Sequence, residues 1–112
     1  MDLTFLKGLT ERYLPLLPPS PTPIKRPLAF MVTVPSEDVG KDIQKVFERM
    51  GCTKIDMFRF RVFVRRRWRV SALSTPVDYT ALAIHKWLDG MDVEARKYGA
   101  TLETWAPTEG PA

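Results

Sequence analysis

Three features of the sequence predict an α+β domain built on an antiparallel sheet. Residues 56–73 alternate with a period of two and run longer than one ordinary strand, so they read as a hairpin. Two segments, 36–51 and 75–99, carry apolar residues at helical spacing on either side of that hairpin. Short apolar runs at 28–34 and 102–105 supply a strand before the first helix and one after the second. The resulting order is β-α-β-β-α-β. Right-handed crossovers then give a four-stranded antiparallel sheet with both helices on one face, the split βαβ or ferredoxin-like arrangement.

Ahead of this domain, residues 2–14 form a short predicted helix with Leu3, Leu6, Leu9 and Tyr13 near one stripe. Three turns are marginal alone, so this helix needs a surface to lie on. Six prolines between Pro15 and Pro27 forbid helix and sheet and favour an extended polyproline stretch. Residues 1–27 therefore read as an arm on a domain of residues 28–106, with 107–112 as a tail. The arm would hold a neighbouring protein through Leu3, Leu6, Tyr13, Pro18, Pro21, Lys25 and Arg26. The alternative is a strap on the domain's own surface. The spacing of basic residues after Pro18 and Pro21 does not suit recognition by an SH3 domain.

In residues 28–34 both faces are largely apolar, which suits a central strand. Ser36 is a good N-cap, Glu37 and Asp38 suit a first turn, and Val39, Ile43, Val46, Phe47 and Met50 form a buried stripe closed by Gly51. Thr75-Pro76-Val77-Asp78 reads as the start of the second helix, with a seam through Val77, Ala81, Ile84, Leu88, Met91, Ala95 and Tyr98. Gly90 interrupts it and marks a kink or a close helix contact, and Gly99 ends it.

The hairpin carries the strongest chemical signal. Phe58, Phe60, Val62, Val64, Trp68, Val70 and Ala72 share one parity, expected under the helices. Arg59, Arg61, Phe63, Arg65, Arg67 and Arg69 share the other, with Arg66 out of phase. No Gly, Asn or Asp marks the turn, which is expected around residues 64–66. An even register would set Arg59 and Arg61 near Arg67 and Arg69. Like charges opposite one another destabilise a sheet, so such a ladder is easier to explain with an anion or carboxylate lying on it. Otherwise the face is solvated, with Glu103 and Asp56 as local partners. Of 17 basic residues, six lie between Arg59 and Arg69, which favours an anionic or acidic partner more directly than the net charge of +4. The first strand offers Ala29, Met31 and Thr33 to the open face and the hairpin only Phe63, so the aromatic platform of an RNA-recognition motif is not expected.

Other classes find less support. Cys52 is the only cysteine, so neither a disulfide nor a cysteine metal cluster is expected, and a reducing compartment, cytoplasm or organelle matrix, fits. No apolar run approaches the roughly 18–20 residues of a bilayer span. The beginning Met1-Asp2-Leu3 does not read as a secretory signal. His85 has no metal-ligand spacing around it, Cys52 reads as a small buried residue, and no phosphate loop or nucleophile elbow occurs. Neither catalysis nor a cofactor is therefore expected. Trp87, one step off the helical seam, is a candidate contact residue.

Across residues 28–105 the chain resembles the regulator of ribonuclease activity B family. The features are the strand running into Pro35-Ser36-Glu37, a helix ending Met50-Gly51, a strand opening at Trp68, the Thr75-Pro76 step, and the ending Tyr98-Gly99-Ala100-Thr101-Leu102-Glu103-Thr104-Trp105. The resemblance implies a small ferredoxin-like inhibitor of ribonuclease E that acts on a protein. Family members tend to be acidic, whereas this hairpin is basic. The leading expectation from the residues is a non-catalytic basic subunit that docks on RNA or a ribonucleoprotein such as a ribosome. The alternatives are that protein-level regulator, or an accessory subunit of a protein-only complex such as a respiratory enzyme.

Overall fold

The computed structural model describes residues 3–16, 24–62 and 65–108, with only the backbone described at 16, 61, 62, 65 and 66. Among these residues it contains three α-helices, α1 (Leu3–Tyr13), α2 (Glu37–Arg49) and α3 (Ala81–Arg96). The strands are β1 (Lys25–Arg26), β2 (Leu28–Val34), β3 (Thr53–Val62), β4 (Arg65–Leu73), β5 (Val77–Asp78) and β6 (Thr101–Pro107). The main sheet has the order β3-β4-β2-β6 with every pairing antiparallel, and β1 pairs with β5 separately. The protein is thus an α+β domain with β2 in the interior of its sheet.

The helix layer follows from the apolar parity of β2. Leu28, Phe30, Val32 and Val34 are all buried. Phe30 meets Phe47 of α2 edge to face at 5.0 Å and Trp87 of α3 at 4.9 Å, so both helices lie on that side. Local chemistry sets the helix ends. The Ser36 hydroxyl accepts from the Val39 amide at 3.2 Å, and Gly51, at φ 82°, lets the Cys52 amide reach back to the Phe47 carbonyl at 2.9 Å. Gly40 permits close approach of α2 to the sheet: a Cβ there would fall 2.4 Å from Met57 Sδ.

The first helix is not a free arm. Leu6 and Leu9 belong to the domain core, and Trp105 Nε1 donates to the Leu6 carbonyl at 2.9 Å inside it. The Tyr13 ring meets Trp105 edge to face at 5.2 Å, Leu3 packs against the core, and Lys7 pairs with Asp89 of α3 at 3.1 Å. A marginal helix is stabilised by the domain on which it lies. Lys25 and Arg26 are likewise engaged, pairing with Asp78 and Val77, and Arg26 also donates to the Thr108 carbonyl. Pro18 and Pro21 lie outside the described residues.

The same pairing corrects the start of the second domain helix. Val77–Asp78 is held as a strand, and Tyr79 is buried with its hydroxyl donating to the Pro27 carbonyl at 2.6 Å. The helix therefore begins five residues later than Pro76 suggests, capped by Thr80, whose hydroxyl accepts from the Ala83 amide. The close helix contact expected at Gly90 is absent too. The residue is exposed, and a Cβ there would meet nothing within 4 Å.

Gly90→Ala is accordingly expected to stabilise the fold by about 0.5–1 kcal/mol through helix propensity, read from urea unfolding. Trp105→Phe is expected to cost about 1–3 kcal/mol by removing a buried donor. It should also lower hydrogen-exchange protection along α1; unchanged protection would show that the helix docks without this bond.

Candidate functional site

The hairpin register determines the site. Val62 pairs with Arg65, so residues 63 and 64 alone connect the strands, and odd positions of β3 face even positions of β4. The pairs are Met57↔Val70, Phe58↔Arg69, Arg59↔Trp68, Phe60↔Arg67 and Arg61↔Arg66. Paired residues share a face. Val70 is buried and Met57 packs beneath Gly40, so that phase faces the helices. Arg69 pairs with Thr33, and both meet Glu103, so the other phase faces away from them.

This overturns the expected division for β3, while β4 keeps the expected one, with Val70 and Ala72 buried under the helices and Arg69 on the other side. Phe58 and Phe60 do not lie under the helices; they stand on the open face beside Arg67 and Arg69. Arg59 leaves that face and holds its guanidinium 5.8 Å from the Trp68 ring centroid. The physical reason is visible in the pairs themselves. An even register would oppose Arg59 to Arg69 and Arg61 to Arg67, whereas the observed one opposes Phe58 to Arg69 and Phe60 to Arg67 and keeps one like-charge pair, Arg61↔Arg66. Bulging near Lys54, at φ 51°, then shifts the pairing from Thr53↔Leu73 to Asp56↔Ser71.

Arg69 is held from two sides. Its guanidinium carbon lies 3.7 Å from the Phe60 ring centroid, a cation–π distance, and one terminal nitrogen donates to Glu103. The Thr33 hydroxyl donates to the other Glu103 oxygen. Arg69 Nε is buried without a partner among the described residues. Beside this cluster, Thr33, Arg67, Thr101 and Glu103 line a hollow of about 220 Å³, in which exposed Arg67 has no carboxylate bridged to it among the described residues. Phe63 lies outside the described residues, as do the side chains of Arg61, Arg65 and Arg66.

The remaining candidates have structural settings. Trp87 is half-buried, with its ring packed edge to face against Phe30 and the remainder exposed. His85 is half-buried and its Nε2 has no partner among the described residues. Those residues contain no group of three His, Cys, Asp or Glu able to hold a metal, and no helix long and apolar enough to cross a membrane. A second hollow, of about 390 Å³, is lined by Asp42, Lys45, Glu48, Arg49 and Tyr98, whose charges offset one another.

Chemically, the described part of the open face offers guanidinium groups, aromatic rings, two threonine hydroxyls and one carboxylate. Fold and face together define a small α+β domain with a basic and aromatic sheet surface that none of the described helices covers. Comparison of the chain with protein-family models, curated proteins and solved structures found no match.

Cys52 is half-buried rather than fully enclosed, and burial pushes its thiol from 9.0 up to about 11. At neutral pH it is a protonated thiol. Between pH 9 and 11 the unfolded chain releases this proton while the folded chain keeps it, so stability falls as pH rises through that window. Urea unfolding at pH 8 and pH 10.5 should therefore show a larger fall for wild type than for Cys52→Ala; parallel losses would contradict the assignment.

Proposed function

We propose that the protein is a non-catalytic binding module that docks within a larger assembly by laying its β3–β4 hairpin on RNA or a ribonucleoprotein. Its strand and helix order supports the ferredoxin-like arrangement, in which one sheet face stays uncovered. The observation that carries the reading is where the sheet narrows. β2 accompanies β4 only as far as Val34↔Trp68, while β3 and β4 stay paired to Val62↔Arg65. The two-stranded end, 60–62 with 65–67, carries Arg61, Arg65, Arg66 and Arg67. Arg61 opposite Arg66 is a like-charge pair that costs stability unless an anion lies near it. Phosphate suits this role because the guanidinium fork binds it bidentately and phosphate contacts supply most nucleic-acid affinity. With α1 committed to the core, the hairpin is the docking element among the described residues, and Pro18 and Pro21 of the arm lie outside them.

A second reading draws on the resemblance to the regulator of ribonuclease activity B family, in which the target is a protein. The Arg69–Glu103 pair favours it, because a carboxylate already satisfies one arginine of the face. An acidic protein surface could then meet the others with no RNA present.

A salt titration of binding to a structured RNA separates these readings. Wild type should show a steep fall of affinity with salt, and Arg65→Ala with Arg67→Ala should shallow the slope by about one unit per arginine removed. Arg69→Ala should change the slope less, since its charge is paired. Absence of binding at low salt would discard RNA in favour of a protein target.

A further inference from the structure

Resting on the RNA reading above, we propose that the open face selects unpaired RNA by stacking bases on Phe58 and Phe60. Both rings belong to an edge strand, bordered by β4 alone, and both are partly exposed on the side without helices. Two positions apart on one strand, they stand about 7 Å from each other. Arg69 already covers one face of Phe60, so a base would stack on the Phe58 ring or on the remaining face of Phe60. Bases inside a duplex are already stacked and paired, and only an unpaired segment can offer them to a flat protein face.

The surrounding cations are placed for the same ligand. Arg69 is fixed against Phe60 and by Glu103, so this part of the platform is ordered before anything binds, which lowers the entropic cost of binding. Exposed Arg67, opposite Phe60, is positioned for a backbone phosphate. The hollow next to it is lined by Thr33, Thr101 and Glu103, of which Thr33 and Glu103 are already bonded to each other.

The test compares a fluorescently labelled ten-nucleotide unpaired RNA with a duplex of the same length and salt. The unpaired strand is expected to bind about fivefold or more tightly than the duplex, as stacking of one base supplies. Phe60→Leu should weaken the unpaired strand by about the same factor without changing the salt slope, and Phe60→Tyr should retain affinity. Equal or tighter duplex binding, or unchanged affinity in both Phe58→Leu and Phe60→Leu, overturns the stacking inference and leaves phosphate docking standing. If neither RNA binds at low salt, both readings fall. Photocrosslinking of wild-type protein to a thiouridine-containing strand avoids any folding defect of the variants. Crosslinks at residues 58–60 support the inference, and crosslinks confined to other segments overturn it.

Discussion

Two residues connect β3 to β4, and that count decides which side of the sheet each β3 position occupies. An even-numbered connection pairs odd positions with even ones. It sends Met57 toward the helices and Phe58 and Phe60 away from them. The choice agrees with the electrostatics of the strand. Aromatic rings opposite arginines attract weakly, by roughly 0.2–1 kcal/mol per cross-strand pair, whereas arginines opposite arginines repel. Arg59, Arg67 and Arg69 are thereby set beside rings or Glu103, and the Arg61↔Arg66 pair is displaced to the narrow end. The surface chemistry of the domain is a consequence of this register.

The rest of the molecule supports the sheet from one side. Phe30 is the point at which α2 and α3 meet β2, and Trp105, its neighbour across β6, holds α1. At the far end Tyr79 gathers the chain near both termini of the domain. Its amide donates to Ile24, its hydroxyl donates to Pro27 and accepts from the Thr108 amide. These bonds explain why residues 24–27 lie on the domain. With three helices on one side, the opposite side is left to the strands and their own side chains.

Much of this fold is legible in the sequence because single residues report it. Ser36 and Gly51 mark the ends of α2, and the apolar parity of 28–34 identifies a central strand. The start of α3 is less legible because Thr75 and Thr80 are both acceptable caps. The choice is made by β1, a segment fifty residues away. The hairpin itself is legible in the sequence, and so are the faces of β4; the faces of β3 are not. Parity along one strand is a local property; parity across a hairpin depends on the length of a turn that carries no Gly, Asn or Asp. Phe58 and Phe60 therefore pass for core residues until the partner strand is aligned. Glu103 is recognisable only as a potential partner, since its contact with Arg69 and Thr33 depends on the order β4-β2-β6.

The register itself is the most direct point of test, because the placement of the rings and arginines follows from it. Cross-strand backbone nuclear Overhauser effects across the hairpin would read it without altering the protein. The account expects contacts that connect Met57 with Val70 and Arg59 with Trp68. Contacts connecting Phe58 with Val70 and Phe60 with Trp68 would return the rings to the helix side and contradict it.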